Sequence, residues 1–137
     1  MNVNLRRISI FCLMILLLSG FNMPLVLIEP SSWEIISDYD CEELHIFNED
    51  QTISVSSGEL KVVNGYLINE IDNSDFLSFQ TIVVETNEKP DCLGERNSKI
   101  GNEFKFYIQF KSNRTEIHFY HWPSKDGYMN IFLKKLQ

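Results

Sequence analysis

Asp38, Asp40, Glu42 and Glu43 crowd around Cys41 in one short stretch of the chain. Clustered carboxylates can hold a hard cation, but calcium loops gather their oxygens around a tight turn, usually at a Gly. No Gly lies in this stretch. The simpler reading is a solvated acidic face that can contact a basic partner. His118 and His121 supply the only metal-like spacing. On a strand, positions three apart point to opposite faces, so one ion cannot easily take both. Phe119, Tyr120 and Trp122 around them suit cross-strand packing. His45 has no evident partner in the sequence, which fits a structural role. Neither a metal site nor a cofactor is expected.

Catalytic patterns are missing from the chain. There is no Gly-x-Ser-x-Gly elbow, no zinc-protease helix and no phosphate-cradling loop. Gly94 and Gly101 are too far apart for such a loop. Carboxylates are plentiful, yet no spacing singles out an acid and a base. The expectation is a protein without catalysis. Asn113-Arg114-Thr115 forms a glycosylation sequon in an expected turn, relevant only in a eukaryotic source.

The cysteines depend on compartment. Arg6 and Arg7 precede an apolar run, Ile8–Ile28, and no charge follows until Glu29. A basic end before an apolar stretch is the pattern of an export signal, with the positive end retained inside. Two outcomes stay open. Cleavage near Ser19–Gly20 would remove Ile8–Gly20, although Leu18 stands where a small residue is wanted. Otherwise the run through Ile28 remains as a membrane anchor, interrupted by Asn22 and Pro24. Lipidation is not expected, because Phe21 occupies the position that needs a Cys. Residues 1–29 are thus a signal peptide or anchor, and residues 30–137 an exported domain, periplasmic or extracellular. Cys12 lies in the signal, leaving Cys41 and Cys92 as an even pair. An oxidising compartment favours a disulfide between them, and their separation lacks zinc-ligand spacing.

Charge narrows the partners. The chain holds 19 acidic against 12 basic residues, for a net charge of -7. All the acids follow the apolar run Ile8–Ile28. Such a surface disfavours nucleic acid and anionic headgroups, so membrane contact is expected only through an uncleaved N-terminal segment. From Glu29 to Glu95 the only basic residues are Lys61 and Lys89, whereas from Arg96 onward the only acids are Glu103, Glu116 and Asp126. Either neighbouring strands pair these opposite charges, or an acidic face meets a basic partner.

The elements that position these residues read as strands, because hydrophobicity has a period of two almost everywhere after Pro30. Eight are expected: Trp33–Tyr39, Glu43–Asn48, Thr52–Ser56, Leu60–Asn64, Tyr66–Ile71, Phe79–Asn87, Glu103–Lys111 and Thr115–Trp122. Tyr128–Leu136 is a possible ninth. Short turns between them predict an all-β antiparallel meander that closes into a small barrel, with a sandwich as the alternative. An apolar helix is expected ahead of it. The long connection 88–102 contains Cys92.

Trp33 at the first strand, the hairpin Leu44-His45-Ile46-Phe47-Asn48-Glu49-Asp50-Gln51-Thr52 and the ending Ile131-Phe132-Leu133-Lys134-Lys135-Leu136 resemble small lipocalin-like, calycin-type domains of exported bacterial proteins. In that family an early Trp plugs the barrel floor, an Asp-Gly-Thr hairpin follows, and the last strand ends in Leu-Lys. Two positions depart: Ser31 replaces a Gly two residues before the Trp, and Gln51 replaces the turn Gly. The resemblance implies an eight-stranded barrel and brings no catalytic residue.

Ten Phe, five Tyr and two Trp are rich for so short a chain. Small barrels are mostly filled by their own side chains, but any cavity so lined suits an apolar ligand. Tyr66, Phe106, Phe119 and Trp122 are the candidate lining. Two functions follow. One is a non-catalytic lipocalin-like module for a small apolar molecule. The other is a protein-binding module, such as an immunity protein or inhibitor, meeting a basic partner through Asp38, Asp40, Glu42 and Glu43.

Overall fold

Strands that alternate apolar and polar side chains can share a core on one face only. The computed structural model describes residues 25–95 and 98–137. Eight strands follow one another there: β1 Ser31–Ile36, β2 Glu43–Phe47, β3 Thr52–Ser57, β4 Leu60–Glu70, β5 Leu77–Thr86, β6 Glu103–Lys111, β7 Glu116–Tyr120 and β8 Tyr128–Lys135. Each pairs antiparallel with the next, and β8 returns to β1, closing an up-and-down barrel. Register runs from Trp33 opposite Lys135 to Ile36 opposite Phe132, and this seam rules out the sandwich alternative. Closure also removes the free sheet edges that a sandwich keeps.

The two segments expected over 60–64 and 66–71 are a single strand, β4. Gly65 looks like a break in the sequence. Instead Gly65 pairs regularly with Ile82, and the register shift lies at Val63/Asn64, where β5 carries the extra residue Val84, a bulge that bends the β4–β5 pair around the barrel. That merger turns nine candidate strands into eight. A short 3-10 turn, Lys125–Gly127, is the one helical element among the described residues. No described helix is long and apolar enough to cross a membrane.

One end of the barrel is closed by packing. Trp33 is 2% exposed and meets Phe47 edge-on at 6.1 Å, and Phe47 meets Tyr66 at 5.3 Å. Ile68, Ile108, Ile117 and Leu133 complete this floor. Ser31 Oγ accepts the indole N–H of Trp33 at 2.8 Å, and Lys135 Nζ lies 6.0 Å over the indole ring. Residues 25–29 add to the same floor. The Val26 N–H donates to the Ile68 carbonyl at 3.0 Å, and Ile28 is buried in the core cluster. The barrel therefore draws on the chain ahead of Pro30. Residues 1–24, with most of the expected apolar helix, lie outside the described residues.

The other end carries the β1–β2, β3–β4, β5–β6 and β7–β8 connections. Here Cys41 and Cys92 stand at disulfide distance, with Cα atoms 5.5 Å apart, joining the β1–β2 loop to the long β5–β6 loop. Closure of the barrel also brings its basic and acidic halves together. Lys111 lies opposite Glu116, Glu116 opposite Lys134, and Lys134 opposite Glu34. Opposite charges thus alternate across four neighbouring strands, an arrangement that favours this register.

Candidate functional site

Above the packed floor the barrel is hollow. A cavity of about 250 Å³ opens toward the disulfide end. Its position follows from the alternation along β2 and β3. Glu43, His45 and Phe47 face inward on β2, and Ile53, Val55 and Ser57 face inward on β3. Phe47 and Ile53 belong to the floor, while the residues nearer the mouth line the space. Across it stand Phe79, Phe104, Phe106 and Phe119. Phe119 meets Phe79 edge-on at 5.8 Å and Phe106 edge-on at 5.9 Å, so the aromatic wall is a connected block.

The polar groups gather on the other wall. His45 Nε2 and Glu43 Oε1 are hydrogen-bonded to each other, with side chains 17% and 21% exposed. Burial pushes the Glu43 carboxyl up, but the His45 hydrogen bond and charge, with help from Ser57, outweigh it and hold the group below the ordinary carboxylate value. Asp91 works in the opposite direction as a like charge. Ser57 is buried, accepts the Cys92 backbone N–H at 3.2 Å and bonds the Cys92 sulfur at 3.0 Å. Asn64 lies deeper, and its Oδ1 is buried with no hydrogen-bond partner.

The β5–β6 loop borders the mouth. Asp91 and Ser98 of this loop line the cavity. Asp91 Oδ1 accepts the backbone N–H groups of Leu93 and Glu95, each at 2.9 Å, which fixes the loop's turn. Beneath it Gly58 adopts φ +59°, and a side chain there would stand 2.9 Å from the Asp91 carbonyl carbon and the Cys92 nitrogen. The β3–β4 turn can approach the loop so closely only without a Cβ.

The expected site residues are distributed over several places. Phe106 and Phe119 line the cavity. Tyr66 sits in the floor below it, and burial pushes its phenol up. Trp122 lies in the β7–β8 connection, 49% exposed, with its indole N–H donated to Asp126 at 3.2 Å. Among the four acids, Asp38, Asp40 and Glu42 are exposed in the β1–β2 loop, whereas Glu43 begins β2 and turns inward. Strand alternation turns its side chain toward the barrel, although it still borders the surface depression that Asp40 and Glu42 line. His45, without an evident partner in the sequence, has Glu43 on the same strand face. A spacing of two on a strand was the available signal. Ser57, Asn64 and Asp91 carried no comparable signal, since their roles depend on neighbours distant in sequence.

Cys41, Glu43 and Cys92 bring three possible metal-ligating atoms close together. Sulfurs engaged in a disulfide are not thiolates, which leaves Glu43 as the ordinary ligand of the three. His118 and His121 diverge: His118 bonds Glu116 at 2.9 Å and stacks on Phe132, while His121 stacks on Trp122 at the turn. No family model matches the chain, and no curated protein or solved structure does so either.

Proposed function

We propose that this is an exported, non-catalytic binding module of lipocalin-like type that holds a small, largely apolar ligand inside its barrel. The observation that carries the reading is the cavity of about 250 Å³, walled by four phenylalanines and bordered by a disulfide-tied loop. Ligand sites are concave and mostly apolar, with a few placed polar groups. They usually occupy about 300–1,000 Å³, so the ligand here is small. Phe106 and Phe119 of the expected lining supply part of the wall, and Glu43 with His45 supplies the polar corner. The closed floor under Trp33 leaves the loop-bordered end as the route of entry.

Native mass spectrometry of the full chain, exported by its own N-terminus, tests this. A small molecule that stays bound until denaturation, and is lost in a Val62→Trp variant that fills the cavity, is the expected result. An empty chain whose thermal stability does not respond to any small apolar compound would overturn it.

The acidic loop supports a second reading. Glu34, Asp40, Glu42 and Glu43 line a surface depression beside the disulfide, with no Lys or Arg among its lining residues. A basic protein, such as a toxin or hydrolase held by its immunity protein or inhibitor, is the partner such a surface fits, and its association would weaken with salt. Retained binding of that partner after neutralisation of Asp38, Asp40 and Glu42 would exclude this reading.

A further inference from the structure

We infer that the cavity's ligand is a small organic amine, held as its ammonium form by Glu43 against the phenylalanine wall. The inference rests on the barrel being a small-ligand binder. Its first support is a skew in hydrogen-bonding capacity. Asn64 Oδ1 is buried and unmet, and the Glu43 carboxylate has one oxygen oriented by His45. Asp91 adds a further acceptor at the mouth. A carboxylate in a half-buried site is met most strongly by a charged N–H donor.

Charge is the second support. The cavity lining carries the carboxylates of Glu43 and Asp91 and, besides the His45 imidazole that bonds Glu43, no basic side chain among the described residues. A fatty acid or other anion would bring a third negative charge into a half-buried site, where such repulsion is poorly screened. An ammonium gains charge-assisted hydrogen bonds at the same place. The third support is the opposite wall. Phenylalanine faces attract cations within about 6 Å and also accept an apolar body. A space of about 250 Å³ suits one ring with a short arm and excludes a long lipid chain.

Isothermal titration of the full chain at neutral pH with phenethylamine, phenylpropanol and phenylpropionate tests the head group, since the three share a ring and a short arm. The amine is expected to bind about tenfold more tightly than the alcohol, with the acid weakest. Glu43→Gln should bring the amine down to the alcohol's level and leave the alcohol unchanged, whereas Glu43→Asp, which keeps the charge, should preserve the preference. Should Glu43→Gln fail to fold, the three-ligand comparison on the unaltered chain still decides. If the acid binds as well as the amine, or the preference survives Glu43→Gln, the amine assignment falls while the binding barrel stands. If none of the three binds the unaltered chain, the amine assignment falls, and the binding barrel stands or falls by the native mass spectrometry. Val62→Trp, which fills the cavity, should abolish all binding; persistence of amine binding in that variant would place it on the surface and overturn the inference.

Discussion

Asn64 is the clearest case of a side chain placed at the expense of stability. Its neighbours along β4, Val62 and Tyr66, are buried and apolar, and strand alternation puts Asn64 on their face, where its Oδ1 finds no donor. Leu has a closely similar shape and no acceptor to leave unmet. Asn64→Leu is therefore expected to raise the unfolding free energy by about 1–2 kcal/mol, measured by urea denaturation of the ligand-free chain. The same substitution should weaken amine binding. Opposite signs in the two measurements would separate a binding group from a packing one, because a packing residue loses both together. The sequence showed part of this. Alternation from Val62 places Asn64 inward, but only the strands opposite reveal that no donor reaches it.

At the level of elements, local pattern and distant contact divided the work. Period-two alternation located the strands because each strand buries one face, and that signal is written into consecutive residues. It misjudged Gly65, since a Gly inside one strand and a Gly at a turn between two strands look alike locally. The β2–β3 hairpin shows the same limit. Gln51 takes φ +58°, a left-handed conformation that usually calls for Gly, so the turn survives without the residue that announces it. The β5–β6 loop is the least legible element, because it is held by Cys41, Ser57 and Gly58 from other parts of the chain. Gly58→Ala isolates that contact. The new methyl meets the Asp91 and Cys92 backbone at 2.9 Å in a left-handed position, and a loss of about 2–3 kcal/mol is expected. Gly94→Ala is the control: its φ is +81° but nothing lies within 4 Å, so it should cost only the conformational penalty of about 1 kcal/mol. Equal losses in thermal or urea unfolding would show that the loop does not rest on the β3–β4 turn.

For the whole molecule, closure of the sheet creates an interior with two different halves, and composition alone could not show which residues share it. The floor is apolar and complete, whereas the mouth half encloses Glu43 and His45 beside a loop that contributes Asp91. A net acidic chain with an ionised carboxylate inside its barrel should lose stability in acid for a local reason as well as a global one. The groups facing Glu43 are His45 on its own strand, Ser57 on β3 and Asp91 on the bordering loop. Their balance holds the folded carboxyl below its ordinary value of 4.5, so protons bind the unfolded chain more readily than the folded one. Its stabilisation is then fully present above about pH 4.5 and is lost as pH falls through the lower folded value. Glu43→Gln removes that linkage. The variant should be less stable than the unaltered chain near neutrality, and the difference should shrink steadily once the pH passes below about 4.5, measured as unfolding midpoints across a pH series. A difference that stays constant with pH would mean that the charge of Glu43 adds nothing to the fold. A difference that grows in acid would reverse the sign and show that Glu43 is held in the barrel as the neutral acid, removing the anion on which ammonium recognition depends.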